Sequence, residues 1–196
     1  MNQSKSKLRQ ELRSRRSGLP LSLRSGLDEA IGRHLLALVK SRRAVSIACY
    51  WPFNGEPDIT PVCRQLMSDG RRLALPVITS ENGRLMNFHS WQTDTELVKN
   101  SYGILEPRQT GLVPVSSLDL LIMPLVGYDL FGNRLGMGQG YYDRCLETIR
   151  DLQAPLRVGV AYSLQEMAPA AKKKWDIPLH GIVNEHGWFS FDAQHA

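Results

Sequence analysis

The sequence lacks the features of a membrane or secreted protein. Its 196 residues contain no run of about 18 apolar residues, and no apolar segment follows the basic N-terminus, so neither a transmembrane helix nor a secretory signal is expected. Cysteine is scarce: Cys49, Cys63 and Cys145 are odd in number and far apart. This pattern argues against a disulfide framework or a metal site and favours a reduced, cytoplasmic setting. We interpret each cysteine as a small buried apolar residue.

Acidic residues are scarce near the start of the chain. The net charge is +5, and the first 24 residues contain seven Lys or Arg against the single acid Glu11. A basic face of this kind binds nucleic acid, an anionic membrane or a charged small molecule, or it is simply solvated. No aromatic residues interleave with the basic run, as they do in many single-strand binders. The charge alone does not choose among these partners; taken together with the residues described below, we expect small-molecule substrates, no nucleic-acid or membrane partner, and a monomer or weak oligomer.

Length and composition indicate one folded domain. A chain of this size with 42% hydrophobic and 22% charged residues buries a substantial core, and we expect a single domain over residues 1–196. Apolar periodicity and Gly/Pro breaks predict helices over 5–16, 21–40, 59–68 and 141–150, strands over 44–51, 73–78, 85–91, 118–126 and 157–162, an irregular stretch over 97–114, and turns with a short final strand over 176–191. This alternation predicts an α/β fold: a three-layer, Rossmann-like sandwich with a largely parallel sheet.

One segment combines three glycines with an acid: Arg134-Leu135-Gly136-Met137-Gly138-Gln139-Gly140-Tyr141-Tyr142-Asp143-Arg144. Alternating glycines let the backbone turn tightly and bring its N–H groups close to a ligand, and such groups at the start of a helix favour phosphate. The spacing matches neither the Walker A motif nor G-x-G-x-x-G. The segment is therefore either a nucleotide site, with Asp143 placed to hold a metal ion, or a generic tight turn.

Three polar loops follow predicted strands, after Trp51, Val126 and Tyr162. Ligands of open α/β sheets bind beyond the carboxyl ends of the strands, so we expect these loops to converge on one cleft. We also expect the basic N-terminal helix to close over that cleft. The candidates for its acidic side are Glu56, Asp143 and Asp176.

The glycine segment carries a resemblance to a known family. Residues 134–144 are similar to the Arg-Leu-Gly-x-Gly-x-Gly-Tyr-Tyr-Asp-Arg string of the 5-formyltetrahydrofolate cyclo-ligases, also called 5,10-methenyltetrahydrofolate synthetases, and that string is long and specific. His180 stands where the family often has Asp. Supporting pieces follow the family's order over nearly the whole chain: Lys5 and Arg9, then residues 50–56, 102–104, 106–107, 119–124, 159–162, 165 and 175–179.

The resemblance implies an ATP- and Mg²⁺-dependent ligase on a Rossmann-like fold. In the family, ATP phosphorylates the formyl oxygen of 5-formyltetrahydrofolate, N10 of the folate then attacks that carbon, and the ring closes to 5,10-methenyltetrahydrofolate with release of ADP and phosphate. The implied catalytic residues are Arg134, Tyr141 and Asp143. The implied ATP-binding residues are Lys5, Arg9, Arg134, Leu135, Gly136, Met137, Gly138, Gln139, Gly140, Tyr141 and Tyr142. The implied folate-binding residues are Trp51, Glu56, Met137, Gly138, Gln139, Gly140 and Tyr141, and the implied Mg²⁺ ligands are Asp143 and Asp176.

Each of these roles has a structural alternative. Trp51 would otherwise cap the core, Glu56 would be an ordinary loop acid, and Asp176 would be a helix or turn cap. One of the two tyrosines of the glycine segment is expected to be a packing residue. The five histidines show no ligand spacing, and we assign them no catalytic role: His34, His89, His180, His186 and His195.

Overall fold

The computed structural model describes residues 4–80, 82, 84–149, 154–169 and 175–191. The helices of these residues are α1 Lys5–Ser17, α2 Leu21–Arg42, α3 Thr60–Ser68 and α4 Tyr141–Glu147, with 3₁₀ turns at Val115–Ser117 and Ser163–Gln165. The strands are β1 Ser46–Ala48, β2 Arg72–Ser80, β3 Leu85–Trp91, β4 Leu97–Lys99, β5 Leu105–Pro107, β6 Leu112–Val113, β7 Leu120–Pro124, β8 Gly127–Tyr128, β9 Arg134–Leu135, β10 Leu156–Val160, β11 Gly181–Asn184 and β12 Gly187–Ser190.

Eight of these strands form one mixed sheet in the order β12-β11-β10-β7-β1-β2-β3-β6. The strands from β11 to β2 pair in parallel, and the outer pairings, β11 with β12, β2 with β3 and β3 with β6, are antiparallel. Strand β7 lies in the middle, and its first four residues are fully buried, as a strand covered on both faces requires. The largely parallel sheet that we predicted is confirmed, with antiparallel edges.

Apolar side chains cover both faces of this sheet. On one face, Ile31 and Leu35 of α2 and Val62 of α3 pack on the inward side chains of the parallel strands. On the other face, Leu146 of α4 packs with Leu179 and with the alternate strand residues. Alternation of side chains along each strand explains why one apolar run supplies both cores. The three-layer architecture is therefore as the sequence predicted.

Helix α1 lies apart from both layers, across the carboxyl ends of the strands. Leu12 packs against Val126, which follows β7, and against Leu135, which belongs to β9. Ser4 begins the helix, because its side chain accepts a hydrogen bond from Lys7 N. This position places the basic residues of the helix beside the loops where ligands of such sheets bind. No helix of the described residues is long and apolar enough to cross a membrane.

The element bounds differ from prediction where tertiary contacts decide them. The predicted strand over 44–51 is paired only at 46–48, and that over 118–126 only at 120–124. At their carboxyl ends the chain leaves the sheet and borders the cleft with Tyr50, Trp51 and Leu125. The stretch over 97–114, predicted to be irregular, contains β4, β5 and β6. The tail forms two strands, β11 and β12, rather than one. The last residue of the predicted helix over 141–150 lies outside the described residues.

Candidate active site

One cleft of about 900 Å³ opens beside α1 at the carboxyl edge of the sheet. It is lined by the loop after β1, the end of β7, the glycine loop and the β4–β5 region. Every residue that the family resemblance implies for the site borders it: Lys5, Arg9, Trp51, Glu56, residues 134–143 and Asp176. The fold therefore brings together side chains that are up to 171 positions apart in the sequence.

The glycine loop begins from a small hairpin that the sequence did not predict. Strands β8 and β9 pair antiparallel, and the fully buried Asp129 holds their turn by accepting hydrogen bonds from Phe131 N and Asn133 N. Gly132 has φ +78°, and a Cβ there would lie 2.8 Å from Leu179 O. The loop therefore follows a hairpin strand outside the main sheet, unlike the first βα turn of a dinucleotide-binding fold.

The loop is held in a tight conformation by positive φ angles and by arginines. Gly138 and Gly140 have φ of +100° and +74°, values that side chains other than glycine's rarely adopt. Arg9 Nε donates a 2.7 Å hydrogen bond to Gly136 O, and Arg144 Nη1 donates one of 2.8 Å to Gln139 O. Because two carbonyls of the loop accept from arginines, the loop borders the cleft with main-chain atoms and with positively charged side chains.

Arg134 and Asp143 join the two ends of the loop. Arg134 Nη2 lies 2.5 Å from Asp143 Oδ1, and the side chains are 8% and 27% exposed. Arg134 also donates to Ile177 O, and Ile177 N donates to Asp143 Oδ1 at 3.4 Å. These contacts fix both residues against the segment that carries Asp176, the second acid implied for a metal.

The acids of this region suit a metal held partly by other ligands. Lys5 Nζ forms an ion pair with Asp176 Oδ2 at 3.6 Å. The described residues contain no group of three or more His, Cys, Asp or Glu that would hold a metal without help. Two carboxylates on one cleft fit Mg²⁺, which usually takes one or two carboxylates together with waters and substrate phosphates.

The opposite end of the cleft combines aromatic rings with a shielded acid. Trp51 stands edge-on to Trp91, with ring centroids 5.8 Å apart, and it is half-buried with one part on the core. The Glu56 side chain is 10% exposed and lies 3.9 Å from Arg16. Burial raises the pKa of Glu56 to about 7, although Arg16 and the Phe53 N–H oppose the shift. Glu56 is therefore more than an ordinary loop acid.

The two tyrosines of the glycine segment differ in their surroundings. Tyr141 faces Tyr102 across the cleft, with hydroxyls 3.3 Å apart and rings edge-to-face. Tyr142 packs on Phe88, and burial raises the pKa of its phenol. One tyrosine thus packs mainly in the core, as expected, although both rings border the cleft.

Comparison with known proteins decides the family. The model of the 5-formyltetrahydrofolate cyclo-ligase family matches residues 1–185. This chain belongs to that family. The cyclo-ligase of Haemophilus influenzae is 32% identical over 183 residues, which are 92% of this chain and 97% of the relative. That of Escherichia coli K12 is 33% identical over 174 residues, or 88% and 95%.

Solved structures agree with this assignment. The NMR structure of Aquifex aeolicus 5,10-methenyltetrahydrofolate synthetase superposes with a TM-score of 0.84 at 30% identity and covers 98% of this chain and 95% of that one. The Mycoplasma pneumoniae synthetase superposes with a TM-score of 0.77 at 26% identity, covering 93% and 99%. The predicted family and fold are confirmed, and with them the expectation of an enzyme of the cyclo-ligase class.

Part of the cyclo-ligase site was not predicted from the sequence. The loop after Tyr162 borders the cleft through Trp175 and Asp176, whereas near its start Gln165 donates hydrogen bonds to Leu125 O and Val126 O. The β4–β5 region, unassigned by sequence, lines the cleft with Asn100, Tyr102 and Glu106. Its signal was present, because residues 102–104 and 106–107 belong to the pieces that resemble the family.

The sequence also did not predict that Arg16 is buried. The basic residues near the start of the chain were interpreted together, as one face that is either exposed or binds a ligand. The position of Arg16 four residues after Leu12, itself four after Leu8, places all three on one side of α1. That spacing was the available signal, because Leu12 and Leu8 pack inward.

His180, which replaces a frequent Asp, accepts a hydrogen bond from Arg157 N. Burial together with Arg157 lowers the pKa of His180 to about 4, so its side chain is neutral at pH 7.

Proposed function

We propose that this enzyme converts 5-formyltetrahydrofolate and ATP to 5,10-methenyltetrahydrofolate, ADP and phosphate. Family membership supports the reaction, and the observation that carries its assignment to this chain is the single cleft. That cleft has a glycine loop with basic residues at one end and an aromatic, acidic pocket at the other. A two-substrate ligase needs such a cleft, because the two reacting groups must meet in one water-poor space.

The nucleotide is assigned to the end of the cleft nearest the start of α1. Backbone N–H groups of residues 136–140 would receive the phosphates, as exposed main-chain amides favour anions. Lys5, Arg9 and Arg134 would neutralise the charge that spreads over the transferring phosphoryl group. Leu135, Met137, Gln139, Tyr141 and Tyr142 would form the walls.

The folate is assigned to the pocket of Trp51 and Glu56. The edge of the pterin offers N–H donors to a carboxylate, and its flat face suits an aromatic ring. Residues 137–141 would lie between the two substrates, so that Tyr141 sits near the formyl group. Donors of the pterin would favour ionised Glu56, which burial alone disfavours.

The chemistry replaces a poor leaving group by a good one. The formyl oxygen attacks the γ-phosphorus, the lone pair of N5 moves into the C–N bond, and the bond to the ADP oxygen breaks. N10 then attacks the formyl carbon while the π pair of the C=N bond returns to N5, and N10 gives up its proton to water. The C–O bond breaks, phosphate leaves with its electron pair, and a nitrogen lone pair re-forms the C=N bond of the methenyl product. Arg134 would stabilise the phosphoryl charge, Tyr141 would orient the formyl oxygen, and Asp143 would hold Arg134 in place.

We assign the Mg²⁺ site to Asp143 and Asp176, with the nucleotide phosphates completing its ligands. When bound, the ion neutralises phosphate charge during phosphoryl transfer. Lys5 already pairs with Asp176, so cation and acid lie together at the place where phosphates would enter.

The remaining assignments concern the molecule as a whole. We propose that all 196 residues form one domain that acts in the cytoplasm as a monomer or weak oligomer, without nucleic-acid or membrane partners. Cys49, Cys63 and Cys145 are free thiols in the structure, which supports a reducing compartment.

A turnover assay tests the reaction. Purified protein with Mg²⁺, ATP and 5-formyltetrahydrofolate should form the methenyl product, followed by its near-ultraviolet absorbance, and release one phosphate for each product molecule. Omission of ATP should abolish the signal. Folded protein that forms no product under these conditions would exclude the proposed function.

A further inference from the structure

The last turn of helix α1 contains a buried arginine. Arg16 is 1% exposed, whereas the side chain of its neighbour Arg15 is 54% exposed. Arg16 Nη1 donates to Leu125 O at 3.1 Å, and Nη2 donates to Asn54 O at 3.0 Å. One side chain therefore ties the helix both to the end of β7 and to the loop after β1.

That loop contains a tight turn which leads into Glu56. Asn54 and Gly55 both have positive φ, +49° and +76°, and Glu56 N donates to Phe53 O at 3.1 Å. Arg24 covers the other side: a Cβ on Gly55 would lie 3.1 Å from its Nη1. Its Nη2 in turn donates to the Arg16 carbonyl at 3.1 Å, so two arginines hold the turn between them.

Among the described residues, Arg16 supplies the full positive charge that acts on the Glu56 carboxylate. Oε2 accepts from Phe53 N at 3.1 Å, and Oε1 lies 3.9 Å from Arg16 Nη1, an ion-pair distance rather than a hydrogen bond. Tyr50 and Tyr142 face the same carboxylate from the end of β1 and from α4. Desolvation favours neutral Glu56, and Arg16 opposes it.

We propose that Arg16 is a positioning residue that joins the two substrate sites: it holds the turn and the carboxylate of Glu56 against α1, whose first turns carry the cations for the nucleotide. This inference rests on the proposed function, because it requires that Glu56 binds the folate. Arg9, about two helical turns away, donates to Gly136 O in the glycine loop. One helix thus contacts Glu56, the acid assigned to the folate, near its C-terminal end and the glycine loop near its N-terminal end.

The test compares Arg16→Met and Arg16→Lys with the matched control Arg15→Met. In each enzyme kcat/KM for 5-formyltetrahydrofolate is measured from about pH 5.5 to 8.5, since this ratio reports titration in the free enzyme. We expect a wild-type rise with a midpoint near 7. Arg16→Met should move the midpoint up by about one pH unit and raise the folate KM about tenfold, with a smaller change in the ATP KM.

The conservative variant separates charge from geometry. Arg16→Lys keeps the positive charge but cannot bond both carbonyls in the fork geometry of arginine. It should leave the midpoint near the wild-type value and still raise the folate KM. If Arg16→Met does not fold, as circular dichroism would reveal, this pattern in Arg16→Lys carries the test.

A double-mutant cycle with Glu56→Gln asks whether Arg16 acts through Glu56. The Arg16 substitution should lower kcat/KM for 5-formyltetrahydrofolate clearly less in the Glu56→Gln enzyme than in the wild type, because its partner is already changed. Fully additive effects, or an Arg16 variant that behaves like Arg15→Met, would overturn the inference. Wild-type protein without turnover would instead refute the proposed function, so the two failures are distinguishable.

Discussion

The surroundings of Glu56 make the stability of the protein depend on pH. Its pKa is raised from 4.5 to about 7 in the folded state, so the folded protein binds its proton more tightly than the unfolded chain does. The stabilisation is therefore complete below about pH 4.5 and is lost as the pH rises through 7, a change of about 3 kcal/mol.

Glu56→Gln should remove that part of the pH dependence. Urea unfolding of the two proteins at several pH values between 4.5 and 8 would give the free energies of unfolding. The free energy of unfolding of the wild type should fall relative to that of Glu56→Gln as the pH rises, since the wild type alone must bury a charge. Parallel curves for the two proteins would contradict the assignment of this titration to Glu56.

Lys5 lies at the nucleotide end and pairs with Asp176. Its loss should remove one cation from the phosphates, so Lys5→Ala should raise the ATP KM by about tenfold and change the folate KM little. Lys7→Ala on the exposed side of the same helix is the matched control. Equal effects of Lys5→Ala on both substrates would argue against a phosphate contact.

Asp143 is assigned to the metal and to Arg134. Asp143→Asn keeps an oxygen that can accept from Arg134 and Ile177 N, so the domain should stay folded while the Mg²⁺ concentration for half-maximal rate rises by about tenfold or more. Titration of activity with Mg²⁺ measures this shift, and exposed Asp94→Asn is the control. Wild-type activity of Asp143→Asn at limiting Mg²⁺ would exclude the role.

At the scale of elements, the glycine loop is the feature most sensitive to backbone geometry. Gly138 has φ +100°, and a Cβ there would lie 3.4 Å from Arg9 Cζ. Because of this positive φ, Gly138→Ala should strain the loop by roughly 1–3 kcal/mol and shift the main-chain amides assigned to phosphate, so the ATP KM should rise about tenfold or more.

Gly136→Ala provides the comparison within the same loop. Gly136 has no positive φ, and a Cβ there would meet no atom within 4 Å, so its ATP KM should rise clearly less. Steady-state kinetics on both variants decides the point. Equal effects would mean that the loop conformation is not what organises the nucleotide site.

The elements that the sequence predicted share one property: their patterns reflect burial on a whole face. The run at β7 is apolar because both of its faces are covered, and α2 carries its apolar residues at helical spacing. The hairpin of β8 and β9 has two residues per strand, which is too few for any periodicity. Its shape comes from buried Asp129, whose bonds form only within the folded turn.

The same reasoning explains which parts of the candidate site could be predicted. The glycine loop is recognisable from its composition, and the resemblance to the family string implies the roles of its residues. Arg16 and the β4–β5 region depend on which loops the sheet order brings together, and local pattern does not encode that order. Arg16 is buried because Leu125 O and Asn54 O meet at its guanidinium, and these carbonyls lie 109 and 38 positions away from it.

At the scale of the whole molecule, the sheet supplies a rigid edge and α1 closes it. Parallel pairing from β11 to β2 puts the carboxyl ends of the central strands on one side, and α1 crosses that side with Lys5, Arg9 and Arg16 facing it. The substrates would therefore lie between an element from the start of the chain and loops from its middle and its end. Ligand binding should consequently stabilise the fold as a whole.

The most direct measurement is a crystal structure of the protein with an unreactive ATP analogue, Mg²⁺ and 5-formyltetrahydrofolate. The account predicts phosphates against the main-chain N–H groups of residues 136–140, flanked by Arg9 and Arg134, and the pterin between Trp51 and Glu56. A nucleotide bound elsewhere, with the glycine loop vacant, would contradict it.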